Sequence, residues 1–192
     1  PQQGERRAEL HKPAELPAVT IAWQTPPVDS EDIYALDVLD KILSGGHSSR
    51  LYRRLVRGTE AAVSVSTSAP WRIDPYLFIA SVKIKPGRMA AEAEAEVYAA
   101  LEEIAAEGVT AVELERAKNQ LEADFVRGMQ TVNGKAGRIG RFEVLFGDYR
   151  EIGNVPGRYR AVTAEEVSAV AAKYFTRNNR TVVTLVPEEA GS

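Results

Sequence analysis

The chain has no cysteine and only two histidines among 192 residues. The first absence removes disulfides, thiolate nucleophiles and Cys-ligated zinc from consideration. It leaves the compartment open, because a chain without thiols is indifferent to redox poise. With histidine so scarce, any catalytic triad or His-rich metal site must draw on His11 or His47. No apolar run approaches the ~20 residues that a membrane-spanning helix needs. Positive charge is not in excess either: 24 Lys and Arg against 27 Asp and Glu leave a net charge of −3. That balance argues against nucleic acid or general phosphate as a partner. No basic-then-apolar targeting segment follows Pro1, and a start without an initiator Met reads as a piece of something longer. What remains is a globular chain, 44% hydrophobic and 27% charged, of a length that suits one hydrophobic core.

Local patterns divide the chain into strands and helices. Residues 1–18 read as a polar arm or edge with a short strand over Arg6–His11, bracketed by Pro13 and Pro17. Val19–Gln24 has the β-branched and aromatic content of a strand. Ile33, Leu36, Leu39 and Leu43 recur at helical spacing, and Gly45-Gly46 ends that helix. A second, short helix fits Ser48–Val56, with Leu51 and Leu55 on one side and arginines on the other. Ala62–Ser68 alternates strictly, exposing its serines, and pairs as a hairpin with Tyr76–Lys85.

The second half is mostly helical. A helix over Ala90–Glu107 stops at Gly108. Thr110 and Glu113 then form a capping box that opens a helix to about Met129. Asn133-Gly134 is expected to break it, with a further helix from about Lys135 to Phe146. Thr163 and Glu166 make a second capping box for a helix through Phe175. A last strand, Thr181–Val186, is expected to stop at Pro187, and residues 188–192 form a polar tail. The order predicts an α+β domain over 19–187: a split β-α-β, ferredoxin-like repeat sandwich with a largely antiparallel sheet and helices on one face.

Each candidate for chemistry has a plain reading beside the sharper one. The run Gly45-Gly46-His47-Ser48-Ser49-Arg50 can hold an anion at a helix start, or it is a tight turn capped by Ser48 with His47 at the surface. Arg50, Arg53, Arg54 and Arg57 make one basic stripe, which suits carboxylate or phosphate ligands, or simply neighbouring acids. Gly134, Gly137 and Gly140 recur along one helix, and each costs up to about 1 kcal/mol against alanine. Close backbone packing, or a smooth wall beside a ligand cavity, is the expected compensation. Trp23, Trp71, Tyr52 and Tyr76 are explained by packing. A helical zinc site needs His-x-x-x-His or His-x-x-Glu-His, and the residues after His11 and His47 fit neither. The chain by itself offers no catalytic residue and no metal ligand.

The stretch Asp40-Lys41-Ile42-Leu43-Ser44-Gly45-Gly46-His47-Ser48-Ser49-Arg50-Leu51-Tyr52 resembles the helix-Gly-Gly-x-Ser-Ser-Arg-Leu segment of the insulinase or pitrilysin-type zinc peptidases, which include mitochondrial processing peptidase. Gly108-Val109-Thr110 with Glu113–Lys118 resembles a second family segment, and the likeness continues through Thr163, Tyr174-Phe175 and the last strand. The resemblance implies paired homologous halves around an enclosed chamber, one half carrying the zinc site. Without that motif this chain is similar to the metal-free, C-terminal half, and its parent would be about twice as long. Zinc is then expected in the N-terminal half, not here.

The family's metal-free half usually supplies an Arg and, further on, a Tyr that contact substrate. In this register Val56 and Val63 occupy those two positions, and a valine neither donates to a carbonyl nor stabilises an oxyanion. The expected partners are the chain's own zinc-bearing half, a homologous subunit in a homo- or hetero-dimer, and a peptide substrate. Three readings follow: the metal-free domain of a bacterial zinc metalloendopeptidase, with the Arg–Tyr pair lent by a partner subunit; a non-catalytic core or scaffold subunit of the same family; or an unrelated binding module with an accidental match. Family analogy alone favours the periplasm over the cytoplasm.

Overall fold

The computed structural model describes residues 2–188. Its five strands lie in the order β1-β5-β2-β4-β3: β1 (Arg6–Pro13), β2 (Ala18–Thr25), β3 (Ala62–Ser68), β4 (Tyr76–Ile84) and β5 (Arg180–Glu188). β2 pairs antiparallel with both β4 and β5, and β3 antiparallel with β4. Hence β2 and β3 run parallel with β4 between them, while β4 and β5 run parallel with β2 between them. These are two interlocked split β-α-β units. β1 adds a parallel edge strand to β5, in register from Arg6↔Thr181 to Pro13↔Glu188.

Strand alternation decides which face is covered. Val19, Ile21 and Trp23 of β2 and Phe78, Ala80, Val82 and Ile84 of β4 are buried and point to the helices. Against them pack α2 (Ala90–Glu107) and α6 (Ala164–Tyr174), while α1 (Ile33–Ser44) packs on β3 and α6 in the same layer. Trp23 anchors this layer: its ring lies 6.4 Å from Tyr98 on α2 and 5.1 Å from Phe175 at the end of α6. Each fully buried Leu or Ile of the kind found at Leu39, Ile42 and Leu55 contributes ~1.5–3 kcal/mol. α3 (Ala111–Gly128), α4 (Val132–Phe146) and α5 (Val155–Ala161) extend the helical side beyond the sheet.

Several elements differ from their sequence patterns. The short second helix starts at Arg50 but continues as a π-helix over Tyr52–Gly58. The Thr59 N–H and hydroxyl both donate to the Arg54 carbonyl, at 2.8 and 3.1 Å, which holds the wide turn shut. The break between α3 and α4 falls before Thr131, not at Asn133-Gly134. The Thr131 hydroxyl accepts from the Gly134 N–H at 3.0 Å and so makes the better helix start. Gly134 then sits in the first turn, where a Cβ would collide with the Gly128 carbonyl. Residues left unassigned after Gly147 form a 3-10 turn, Tyr149–Asn154, that runs into α5. Pro187 does not stop β5. The β2 ladder ends at Ala18↔Leu185, so the rest of β5 has a free edge on which proline is tolerated.

The segment read as an arm is held down by charge. Arg7 bridges Glu5 and Glu94 of α2, Arg180 pairs with Glu5, and the Arg180 guanidinium stacks 3.8 Å from the Tyr98 ring centre. Of the expected 188–192 tail, Glu188 closes β5 and the rest lies outside the described residues.

Candidate functional site

The π-helix and the start of β3 meet at one corner, and the two valines lie there. Val56 is half-buried against the core. Val63 is the extra residue of a β-bulge, between the pairs Ala62↔Ile84 and Ser64↔Lys83, and is 50% exposed. A bulge turns a side chain away from the strict alternation. Ala62 therefore stays in the core while Val63 faces solvent. The corner offers no hydrogen-bond donor from either side chain.

Behind this corner three of the four arginines of the stripe are engaged with acids. Arg50 grips Glu113 through two parallel bonds, Nε–Oε1 at 2.8 Å and Nη2–Oε2 at 2.9 Å, and also donates to the Gly108 carbonyl. Glu113 accepts from the Thr110 N–H as well, completing the capping box of α3. The Arg50 guanidinium, with help from Thr110, outweighs burial and holds the Glu113 carboxyl down to about 2. Arg53 reaches Glu113 at 3.4 Å, and Arg54 bonds Glu96 and Glu103. Arg57 stands 5.8 Å from the Tyr52 ring, on which His47 stacks at 4.6 Å. The glycine turn spends its own polar groups: the Ser49 hydroxyl, not that of Ser48, donates to the Gly46 carbonyl at 2.6 Å. Gly46 takes φ +101°, and a Cβ on Gly45 would strike the Lys41 carbonyl. These residues build a turn and a staple; they leave no cradle for an anion.

A second cluster carries no signal in the sequence. One Asp37 carboxylate oxygen on α1 accepts from Trp71 Nε1 at 3.0 Å and from the Tyr159 hydroxyl at 2.6 Å. Asp40 accepts from the Thr67 hydroxyl at 2.6 Å, and Lys41 pairs with Asp124 at 2.9 Å. They border a cleft of about 480 Å³ whose walls include Phe125 and Phe142. Desolvation pushes the Asp37 carboxyl up to about 7, against the lowering effect of its two donors. All three acids are paired, so the cluster pins α1 to the β3–β4 loop and α5. Farther along α4, Gly137 and Gly140 meet nothing within 4 Å. The close packing expected there is absent, and the glycines look onto open space.

Among the described residues, none packs over the opposite face of the sheet. Thr20 and Ala22 of β2, Ile79 and Ser81 of β4, and Val183 and Leu185 of β5 alternate away from the helices. None of them belongs to the hydrophobic core or packs against it. Ser64, Ser66 and Ser68 of β3 are exposed on the same face.

A family profile described as the peptidase M16 inactive domain matches residues 1–121. The chain belongs to the M16 peptidase family. The insulinase-type resemblance read from the Gly-Gly-His-Ser-Ser-Arg segment is this family, and the reading as an unrelated binding module falls. Among M16 relatives, an uncharacterised zinc protease of Mycobacterium tuberculosis is 32% identical over 170 residues, covering 88% of this chain and 38% of its own length. The zinc protease PqqE of Helicobacter pylori is 27% identical, over 97% of this chain and 42% of the relative. A solved Helicobacter pylori protease superposes with a TM-score of 0.90 at 26% identity, over 97% of this chain and 45% of that one. The inactive peptidase domain attributed to a zinc protease of Bordetella parapertussis superposes at 0.83 and 26% identity, covering 95% and 99%. The chain thus spans less than half the length of these curated relatives.

In the M16 setting the donor set decides what this domain can hold. Among the described residues no three His, Cys, Asp or Glu side chains converge so as to bind a metal ion. The residues present do not fit zinc, and no catalytic step is assigned to them. No described helix is long and apolar enough to cross a membrane. The fold and the family agree on an inactive, C-terminal type of M16 domain.

Proposed function

We propose that this chain is the metal-free half of a bacterial M16 zinc peptidase and forms one wall of a chamber that encloses peptide opposite a zinc-bearing half. The observation that carries this reading is the bare sheet face, a broad surface with apolar centre and hydroxyl rim that the described residues do not cover. A sheet with helices on one side leaves its other face for something else. The relatives' greater length supports a zinc-bearing half as the opposing element, and the periplasm is the proposed compartment by family analogy alone. The paired charges of the helical side serve stability in this scheme, and the wall supplies shape.

Val56 and Val63 favour one refinement over a self-sufficient enzyme: the substrate-contacting Arg and Tyr come from a homologous partner subunit. The scaffold reading uses the same two valines but requires no turnover in any combination. The test is reconstitution. A zinc-bearing half with this chain should cleave an unstructured reporter peptide faster than that half alone, and faster still with an Arg–Tyr-bearing homologue added. Metal analysis should assign zinc to the other half. Stoichiometric zinc on this chain by itself, or turnover indifferent to its presence, overturns the proposal.

A further inference from the structure

Charge on the bare face is distributed differently from charge on the rest of the molecule. The chain carries a net −3, and its helical side is a mosaic of paired ions. Following the strand registers, the charged side chains that point away from the helices are Arg6 and Lys12 of β1 and Lys83 of β4. All three are cations and all three are exposed. Of the acids nearby, Glu9 alternates to the helical side and approaches His11, Glu60 pairs with Lys85, and Glu15 sits exposed in the β1–β2 connection rather than on a strand of this face. No carboxylate of the five strands shares this face.

Register also fixes how far apart the cations stand. Lys83 is opposite Ala18, Ala18 opposite Leu185, and Leu185 opposite Leu10, which neighbours Lys12 on the same face of β1. Lys83 and Lys12 therefore flank one end of the sheet, three strand spacings of ~4.8 Å apart and offset by two residues of ~3.4 Å along the strand, about 16 Å in all. Between them lie the small and apolar side chains of Ala18 and Leu185. An extended peptide rises ~3.4 Å per residue, so carboxylates about four to five residues apart, on flexible side chains, reach both ammonium groups. Arg6 lies at the other end of β1, beside Thr181 and Ala22.

We propose that this face selects polypeptide segments with two acidic side chains flanking a short neutral stretch, the carboxylates lying against Lys12 and Lys83 and the neutral part over Ala18 and Leu185. The inference rests on the chamber-wall reading and names the class of substrate that the wall prefers. Charge complementarity of this exposed kind acts on capture and orientation and weakens as salt screens it.

The test uses the 192-residue chain and three fluorescein-labelled peptides with one Ala-Val-Ser core, flanked by Glu, Gln or Lys. Anisotropy at low salt should rank Glu above Gln above Lys. Two screened surface pairs should give roughly a tenfold spread between the extremes, shrinking at high salt. Lys12→Glu with Lys83→Glu should reverse the order; both positions are exposed, and circular dichroism checks that the fold is kept. A benzophenone side chain at Ser66 separates the outcomes. Crosslinking to all three peptides without rank overturns the acidic preference and leaves the wall. Failure to crosslink any of them overturns the wall as well. Crosslinking of the chain to a second copy, with a dimer in sedimentation, overturns both in favour of a self-covering face.

Discussion

Replacing Glu113 by Gln would remove one charge while keeping the cap it belongs to. A glutamine in the same place can still accept from the Thr110 N–H, because the capping box works with Gln as well as Glu. What is lost is the charge opposite Arg50, a residue whose side chain is 12% exposed against 9% for that of Glu113. Breaking a buried pair while one charge remains costs ~3–5 kcal/mol. The carboxyl's own titration gives a second route to the magnitude. Held at about 2 rather than the ordinary 4.5, it contributes roughly 3 kcal/mol at neutral pH. Solvent reaching the rim of the pair lowers both figures, and a loss of about 2–3 kcal/mol is expected at pH 7.

The pH dependence tests the cause as well as the size. A carboxyl depressed in the folded state stabilises fully above its unfolded value and loses that contribution as pH falls through the folded one. The gap between wild type and Glu113→Gln should therefore be largest at pH 7 and fall to roughly half by pH 3. Urea denaturation at the two pH values, with the m-value unchanged, measures it. A gap that is constant from pH 7 to pH 3 would show that shape, not charge, was lost, and would refute the argument.

Asp37 should behave with the opposite sign. Its folded-state carboxyl lies near 7, above the ordinary 3.8, so its contribution to stability is present in acid and lost as pH rises through 7. Asp37→Asn keeps an acceptor for Trp71 and Tyr159 and should be more stable than wild type above pH 8 by about 1–3 kcal/mol; denaturation midpoints that fall in parallel from pH 5.5 to 8.5 would sink this. On α4, Gly137→Ala and Gly140→Ala should each add about 0.5–1 kcal/mol, whereas Gly134→Ala, facing the Gly128 carbonyl, should destabilise. Thermal melts of the three variants read the difference directly. Val63→Tyr, at the exposed bulge, should shift stability by less than ~0.5 kcal/mol, while Val56→Arg should cost more because it withdraws a side chain from the core; equal melting temperatures for both would contradict the placement.

Where the fold was legible, the signal was local. Both capping boxes form with both of their bonds, Thr110 with Glu113 and Thr163 with Glu166, because a cap is decided within four residues. The alternation of β2 and β4 fixed which side chains face the helices. The misplaced features depend on distant chain. Pro187 is tolerated only because β2 has already ended beside it, and the start of α4 turned on Thr131 rather than on the more conspicuous Asn133-Gly134. Asp37, Trp71 and Tyr159 meet across 122 residues of sequence, and no spacing rule announces such a contact. The cations of the bare face are visible as letters, yet their common side follows only from three strand registers.

Whether that face is a wet wall or a dry subunit interface can be argued from its composition. The centre of a stable protein–protein interface is depleted in lysine and serine and enriched in large aromatic anchors. This face has Ser64, Ser66, Ser68, Ser81 and Thr20 around a small apolar centre, with lysines at its border and no aromatic ring pointing outward from β2, β4 or β5 at its middle. Burying those hydroxyls under an apolar partner would cost ~1–3 kcal/mol for each left unpaired. Kept wet, they bond water or a passing peptide backbone at no such cost. A scaffold role would press this face against another subunit; a chamber role would leave it hydrated until substrate arrives. The serines favour the chamber.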